Sequence, residues 1–355
     1  MKIERAEWRR EHIPLTQPYE IASLVTDSVD ILYVRLRADD GLDGWGAASP
    51  AEDVTGESAT ACEAALARGA ERLAGCDPRE TDALAGALAD ELAGAPAARA
   101  ALDMACWDLV AKRAGRPLAE HLGRVHERLP TSITIGIQPV EETLASAADY
   151  VARGFRCLKV KIGKQLEVDI ERLVRLREAY GASVNLRVDA NQGYDAAQAR
   201  AFLAATASLD LEFVEQPLPV SQDAELLALP AGLRRRIGLD ESLHTPADAR
   251  RLAGPPPAVG TFVVQLMKCG GLTPARAIAA AAAAGGVDLM WGCNDESAIS
   301  IAAALHVAYA SPATRYLDLD GSFDLSRDLA RGGFRVADGQ LELTADPGLG
   351  VCVAW

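Results

Sequence analysis

Residues 29–37 (VDILYVRLR) alternate apolar and polar side chains with the period of two of a half-buried strand, and Asp39-Asp40-Gly41 follows as a turn. Residues 57–92 are Ala-rich and helical in pattern. Residues 98–113 (ARAALDMACWDLVAKR) carry apolar side chains at helical spacing until Gly115 and Pro117 stop the run. Strand followed by helices predicts an α+β domain over residues 1–125.

From about residue 131 the pattern changes. Short β-rich runs alternate with amphipathic helical stretches. The runs are TSITIGI (131–137), CLKVKI (157–162), VNLRVDA (184–190), LEFVEQ (211–216), IGLDE (237–241), FVVQLMK (262–268), VDLMWGC (287–293) and TRYLDLD (314–320). Alternating β and α elements imply a parallel sheet, and eight repeats close it. The prediction is an α/β fold, a TIM-like (β/α)7β barrel over residues 126–321. The six-alanine run 279–284 is helix, ended by Gly285-Gly286. Residues 332–353 read as a hairpin, FRV and LEL around ADGQ, outside the barrel period. The segment 322–355 is therefore expected to pack back on the N-terminal part and complete an α+β capping domain.

With 355 residues, 49% hydrophobic and 24% charged, the composition is that of a soluble enzyme of one or two domains. A formal net charge of -14 argues against nucleic acid or an anionic membrane surface as the main partner. No apolar run is long enough to span a bilayer, and MKIERAEWRRE has no apolar signal segment. The seven cysteines (62, 76, 106, 157, 269, 293 and 352) are scattered without a C-x-x-C pair. Reduced thiols of a cytoplasmic protein fit this better than disulfides or a zinc site.

Active sites of such barrels form at the C-terminal ends of the strands. The polar residues closing successive runs are Lys161, Asp189, Glu215, Asp240, Lys268, Cys293 and Asp318, separated by 28, 26, 25, 28, 25 and 25 residues. That spacing matches one βα unit of roughly 30 residues, so these groups converge on one rim. Asp189, Glu215 and Asp240 close three consecutive strands. Gathered carboxylates repel unless a cation sits among them. Hard oxygen ligands without His or Cys suit Mg2+, one per subunit. A single acid of this kind more often caps a helix or meets a surface lysine. Three in phase, within DANQGY, VEQPL and LDESL, point to a metal site.

Lys159 and Lys161 in CLKVKIG stand two residues apart and share a strand face. A lone K-x-K more often marks an exposed edge strand, but apolar flanks and barrel phase set this one apart. Lys268, in MKCGG, closes a later strand across the mouth. A neighbouring cation and partial burial both lower a lysine pKa, which makes a neutral amine available as a base. Two opposed lysines beside Mg2+ suggest proton removal from a carbon next to a carboxylate. One lysine takes the proton and the other returns it from the opposite face, which inverts the configuration.

With LKVKIG, RVDANQGY, FVEQPL, LDESL and LMKCGG in this order, and ALDMACWDLVAKRAGRPL ahead of them, the chain resembles the muconate-lactonizing-enzyme subgroup of the enolase superfamily over essentially its whole length. The resemblance implies Lys161 and Lys268 as the two acid/base groups, with Lys159 tuning Lys161 and meeting the substrate carboxylate. It implies Asn191 and Glu241 as supports beside the ligands, and Thr134 as a substrate contact. Gln265 departs from the pattern, since relatives often have another lysine there. The subgroup holds muconate cycloisomerization, o-succinylbenzoate synthesis, N-acylamino acid racemization and dipeptide epimerization. In YLDLDG, Asp318 and Asp320 share one face and resemble the D-x-D pair with which dipeptide epimerases hold the substrate α-ammonium group. The alternative is that the two aspartates merely cap the barrel or form salt bridges.

The reading is thus a Mg-dependent dipeptide epimerase that inverts the Cα of the C-terminal residue of an L,L-dipeptide through an enediolate. Specificity is expected from the cap segment 15–27 (LTQPYEIASLVTD) and from CNDES (293–297). There Glu20, Asp27, Asn294, Asp295 and Glu296 at the mouth favour dipeptides with cationic or neutral side chains over Ala-Glu. The subgroup often forms homo-oligomers. The rivals are an N-acylamino acid racemase, o-succinylbenzoate synthase or muconate cycloisomerase, none of which needs Asp318 for an amine. A Schiff-base lysine barrel enzyme explains one buried lysine but not three in-phase acids. A non-catalytic binding module leaves the opposed lysines without a purpose.

Overall fold

Two long strands, β1 (Ile3–Glu20) and β2 (Val25–Ala38), pair antiparallel, and β3 (Asp43–Ala48) joins β2 through the turn at Asp39-Asp40-Gly41. The structure, a computed structural model, describes residues 1–22 and 25–355. Ser23 and Leu24, within the expected specificity segment, lie outside the described residues. The register of β1 against β2 shifts between Pro14 and Tyr19. Pro14 and Pro18 lack backbone donors there. The strand turns to the segment after the barrel instead: Thr16 N donates to Asp324 O at 2.7 Å and Ser326 N to Pro14 O at 3.0 Å. This departure from regular pairing carries residues 17–22 over the barrel mouth.

Helices α1 (Ala59–Leu73), α2 (Thr81–Glu91), α3 (Pro96–Arg113) and α4 (Leu118–Leu122) follow. The stretch 57–92, one helical run by its pattern, breaks at Gly75-Cys76-Asp77-Pro78. Almost all of α3 is buried, because its small residues let two layers approach. Gly44 and Gly46 of β3 lie against the backbone of Ala105 and Ala101, where any side chain would collide with a carbonyl.

The chain enters the second region through β4 (Arg128–Pro130). The repeat then runs β5 (Ile133–Ile135), α5 (Val140–Ala152), β6 (Cys157–Lys161), α6 (Leu166–Tyr180), β7 (Asn185–Asp189), α7 (Ala196–Ala205) and β8 (Val214–Glu215). Two short helices, α8 (Asp223–Leu227) and α9 (Ala231–Arg234), precede β9 (Ile237–Leu239), α10 (Pro246–Leu252) and β10 (Thr261–Val264). It ends with α11 (Leu266–Cys269), α12 (Leu272–Gly285), β11 (Asp288–Trp291), α13 (Ala298–Tyr309) and β12 (Thr314–Leu317). Strands β5 to β12 lie side by side in sequence order, and all of these pairings are parallel. The ring closes between its ends through a parallel bridge from Thr131 to Leu317, with Ser132 N donating to Leu317 O at 2.9 Å. This is the (β/α)7β barrel with a separate antiparallel sheet region.

Leu158, Val160, Leu186 and Val188 alternate with Lys159, Lys161, Arg187 and Asp189 along β6 and β7, and all four apolar residues are buried. The alternation sends the apolar set to the helices and the charged set into the barrel. Deeper inside, Phe213, Val263 and Met290 form a small separate apolar cluster. The Arg187 guanidinium stacks 5.0 Å from the Tyr316 ring and 5.8 Å from that of Phe213, and is paired with Glu212 at 2.7 Å. The barrel is thus plugged below its charged end.

The strands are shorter than the runs suggested. LEFVEQ yields only Val214–Glu215, and FVVQLMK stops at Val264, so that Lys268 sits on the helical turn α11. The C-terminal hairpin forms, as β14 (Phe334–Ala337) and β15 (Gln340–Leu343), after β13 (Ala330–Gly332). Its partner is β4, so it extends the strand that leads into the barrel and not the N-terminal sheet. The last segment, with β16 (Val351–Val353) paired to β13, does reach back. Leu349 N donates to Asp108 Oδ1 of α3 at 2.8 Å, and the Trp355 ring lies 5.3 Å from that of Trp45. Among the described residues no helix is long and apolar enough to cross a membrane.

Asp108 holds this return in place. Its buried carboxylate accepts from Trp45 N at 2.9 Å, Leu349 N at 2.8 Å and Lys112 Nζ at 2.7 Å. Asp108→Ala strands two buried backbone donors and one ammonium group, so a loss of about 3–5 kcal/mol is expected. Urea unfolding of wild type and variant measures it, and Asp108→Asn is expected to lose less.

Candidate active site

Strand register brings the charged ends together. Lys161 of β6 pairs with Asp189 of β7, and Asp189 pairs with Glu215 of β8. Glu215 faces Gly238 of β9, which sets Asp240 just past the end of that strand. All three carboxylates are buried.

Lys159 is the hub. Its Nζ lies 2.7 Å from Asp318 Oδ2, 3.0 Å from Glu215 Oε2 and 3.1 Å from Asp189 Oδ2. Lys161 Nζ donates to Asp189 Oδ2 at 2.7 Å and to Asn191 Oδ1 at 3.0 Å. Asn191 N in turn donates to Asp189 Oδ1 at 2.9 Å, and its Nδ2 reaches Glu241 Oε1 at 3.4 Å. On the other side, Lys268 Nζ donates to Asp240 O at 2.6 Å and also pairs with Asp240 Oδ1. Gln265 Nε2 donates to both Asp240 carboxylate oxygens, at 2.9 and 3.0 Å, while its buried Oε1 has no hydrogen-bond partner.

These pairings set the proton affinities. Burial works against the charge of Lys159, yet Asp318, Glu215 and Asp189 hold the ammonium well above its ordinary value. Burial likewise opposes the charge of Lys161, as does the neighbouring Lys159, but Asp189 and Glu215 together hold its pKa above the ordinary value. While the carboxylates face the lysines directly, their opposite charge outweighs the mutual repulsion of the pair. Several opposite charges near 3 Å outweigh one like charge. Glu215 moves well above the carboxylate range through burial and Asp189, against the pull of Lys159. Burial raises Asp189 too, but Lys161 and Lys159 hold it below the usual range.

Asp189, Glu215 and Asp240 are the residues present for a divalent cation. They are hard oxygen donors, buried, adjacent and mutually repelling, and Glu215 records that repulsion. The donor chemistry fits Mg2+. Among the described residues no three His, Cys, Asp or Glu side chains converge as a ready coordination shell. The carboxylates are turned onto the three lysines instead.

The last barrel strand brings Asp318 and Asp320 to the same rim. Asp318 accepts from Lys159 and from Ser132 Oγ, the latter at 2.5 Å, and lies below its ordinary pKa because Lys159 overrides burial. Asp320 Oδ2 accepts from Thr134 N at 2.8 Å. Burial and then Asp318 and Asp324 push Asp320 up to about 7. Thr134 thus meets the rim through its backbone, and it lines the cavity.

That cavity, of about 1090 Å³, opens between the barrel mouth and the cap. Tyr19 of β1 closes one side, its hydroxyl donating to Asp295 Oδ2 at 2.8 Å. Ser49 Oγ donates to Asp295 O at 2.7 Å, and Glu20 pairs with Lys164. Burial raises Asp295 to about 6 against its bond from Tyr19. Asn294 lines the cavity, and its Nδ2 is buried without a hydrogen-bond partner. Two expected mouth residues lie elsewhere. Glu296 is buried beneath the rim, does not line the cavity, accepts from Asn294 N at 2.9 Å and is pushed up to about 7 by burial. Asp27 is exposed outside the cavity and accepts from Ser28 Oγ.

Asp53, Glu142, Tyr150 and Asp324 also line the cavity, though the strand-end rule had not singled them out. Lys159 and Lys161 are its lysines, and among the described lining residues there is no arginine. Asp324 is half-buried, and its carboxylate has no hydrogen bond or ion pair among the described residues. Only its position four residues after Asp320 hinted that it returns to the rim.

Residues 142–355 match the enolase C-terminal domain-like family, and residues 5–123 match the N-terminal domain of mandelate racemase / muconate lactonizing enzyme. The L-Lys-D/L-Arg epimerase of Methylococcus capsulatus is 56% identical over 354 residues, covering 99% of each chain. That of Desulforapulum autotrophicum is 49% identical over 352 residues, again covering 99% of each. The crystal structure of the Methylococcus capsulatus dipeptide epimerase complexed with Mg and the dipeptide L-Arg-D-Lys superposes with a TM-score of 0.96 over 99% of each chain. With both halves matched and the fold shared throughout, the chain belongs to the enolase superfamily, in its muconate-lactonizing-enzyme subgroup, and is an isomerase.

Proposed function

We propose that this protein is a Mg2+-dependent dipeptide epimerase acting on dipeptides with cationic side chains and inverting the Cα of the C-terminal residue. The observation that carries the reading is the order of the ring. Strand β6, with Lys161, and strand β10, followed one turn later by Lys268, are four strands apart in a ring of eight. The three strands between them lead to Asp189, Glu215 and Asp240. Amines on opposite sides of a carboxylate group are what a two-base proton transfer needs.

When bound by the three carboxylates, Mg2+ neutralises the substrate carboxylate and makes the adjacent Cα proton easier to remove. Every other task falls to the chain. Lys161 takes the proton from one epimer, Lys268 supplies one to the opposite face, and the roles exchange in reverse. Engaged as a ligand, Asp189 would no longer hold Lys161 protonated. Burial and the charge of Lys159 then lower the pKa of Lys161, as a base requires. Lys159 keeps its proton through Asp318 and hydrogen-bonds the substrate carboxylate. Asp318 and Asp320 receive the α-ammonium group, a counter-charge that Asp320 lacks.

The cationic preference rests on the balance of charge around the cavity. Once the metal ligands and Asp318 are accounted for, Asp53, Glu142, Asp295 and Asp324 line it with no lysine assigned to them. The L-Lys-D/L-Arg epimerases, similar over the whole length, support the same preference.

Three tests follow. Mg2+ is expected to raise the thermal unfolding midpoint of the wild type and to leave that of Glu215→Gln unmoved, read by calorimetry. In D2O with Mg2+, L-Lys-L-Arg should gain one mass unit at a single Cα, and Lys161→Ala and Lys268→Ala should each abolish epimerization. Exchange of N-acylated amino acids but of no free-amine dipeptide would replace this reading with an N-acylamino acid racemase. Asp324→Asn should raise KM for L-Lys-L-Arg about tenfold, or ~1.4 kcal/mol, and leave that for an uncharged dipeptide almost unchanged.

A further inference from the structure

The motif ALDMACWDLVAKR supplies α3, and α3 touches the loop that carries Lys268. Arg99, Asp103 and Trp107 stand four residues apart on one line of the helix. Lys268 is the third residue of the short turn α11, and Gly270 and Gly271 follow its end at Cys269 with φ of 91° and 117°. Both adopt backbone that other residues avoid. The amides of Gly270 and Gly271 fold back on Leu266 O, each at 3.0 Å.

Helix α12 starts immediately afterwards, and Gly271 has no side chain with which to cap it. Asp103 does so from the other domain. Its buried carboxylate accepts from Thr273 N at 3.0 Å and from Thr273 Oγ1 at 2.7 Å. Trp107 Nε1 donates to the same hydroxyl at 2.9 Å. The fit is close: a Cβ at Gly271 would stand 2.6 Å from Asp103 Oδ2, and one at Gly270 would stand 3.0 Å from the Arg99 guanidinium carbon. Among the described residues no comparable contact from α3 reaches β6, whose lysines are held by Asp189, Glu215 and Asp318.

We propose that Asp103 is a positioning residue for Lys268: by capping α12 across the domain boundary it fixes the turn that aims this lysine, and so supports proton transfer on one face of the substrate only. The proposal rests on the two-base reading above. A displaced base loses rate steeply with distance, whereas the opposite base keeps its geometry.

The test uses the full chain with Mg2+ in D2O and both epimers, L-Lys-L-Arg and L-Lys-D-Arg. Lys268→Ala serves as reference and defines which epimer still exchanges its Cα proton through Lys161. In Asp103→Ala, epimerization in both directions should fall about tenfold to hundredfold, while exchange of that epimer stays within about threefold of wild type. Amide hydrogen exchange should quicken across 266–273 and stay unchanged across 157–163. Asp103→Asn, which keeps an acceptor oxygen, should restore most of the rate. It carries the same comparison if the alanine variant fails to fold. Equal loss of exchange for both epimers, or no loss at all, overturns the assignment. A wild type that exchanges neither epimer removes the epimerase reading and this inference together, whereas wild-type exchange with symmetric loss in the variants removes the inference alone.

Discussion

Charge neutrality in a buried space is the condition on which this structure rests. Asp189, Glu215, Asp240 and Asp318 are all removed from water at the mouth of one barrel. Unpaired, each is strongly destabilising. Lys159 answers three of them at once, and Lys161 and Lys268 reinforce two. The same condition explains why ligand-type carboxylates and base-type amines occupy neighbouring strands. The amines offset the burial of Asp189 and Asp318, whereas Glu215 is left with a raised pKa. Deeper in the ring, Arg187 repeats the principle, with Glu212 and two aromatic faces around a fully buried guanidinium.

The cap region acts on this charge store from two directions. Above, Tyr19, Ser49 and the bent part of β1 close the cavity against Asp295 and the segment after β12. From the side, α3 braces the turn after β10. Enclosure and aim are thus separate tasks, assigned to separate elements of one antiparallel sheet and helix layer.

Much of this was legible in the residues. The eight β-rich runs closed on acids and lysines at near-constant spacing, and strand register converts constant spacing into a common rim. Lys159, Lys161, Asp189, Glu215 and Asp318 meet there for that reason. What escaped depends on geometry that periodicity does not encode. Lys268 reads as the end of a strand because LMK is apolar around it, yet the αL glycine Gly270 after it caps a helical turn. The K-x-K spacing shows the like charge beside Lys161 but not the carboxylates that reach it from the neighbouring strands. Glu296 and Asp27 were grouped with the mouth by sequence proximity alone, but one faces inward beneath the rim and the other faces water. Asp324 and Asp53 sit on loops, where no repeat predicts direction. The hairpin 334–343 was recognised, but its partner strand was not, since pairing among short edge strands leaves little trace in composition.

The ring closure between β12 and β5 has a consequence for how such a protein can diversify. A bridge at Thr131–Leu317 and a backbone hydrogen bond from Ser132 N join the two ends of the sheet, and the side chains that reinforce this seam are Ser132, Asp318, Lys159 and Arg187. Asp318 therefore serves as masonry as well as in the recognition proposed for it. Evolution toward ligands without an amine must rebuild the seam when it alters that residue, whereas Asp324, free of such duties, can drift at little structural expense. New specificities should accordingly arise first on the loops beyond the seam, and the aspartate within it should be among the last to change.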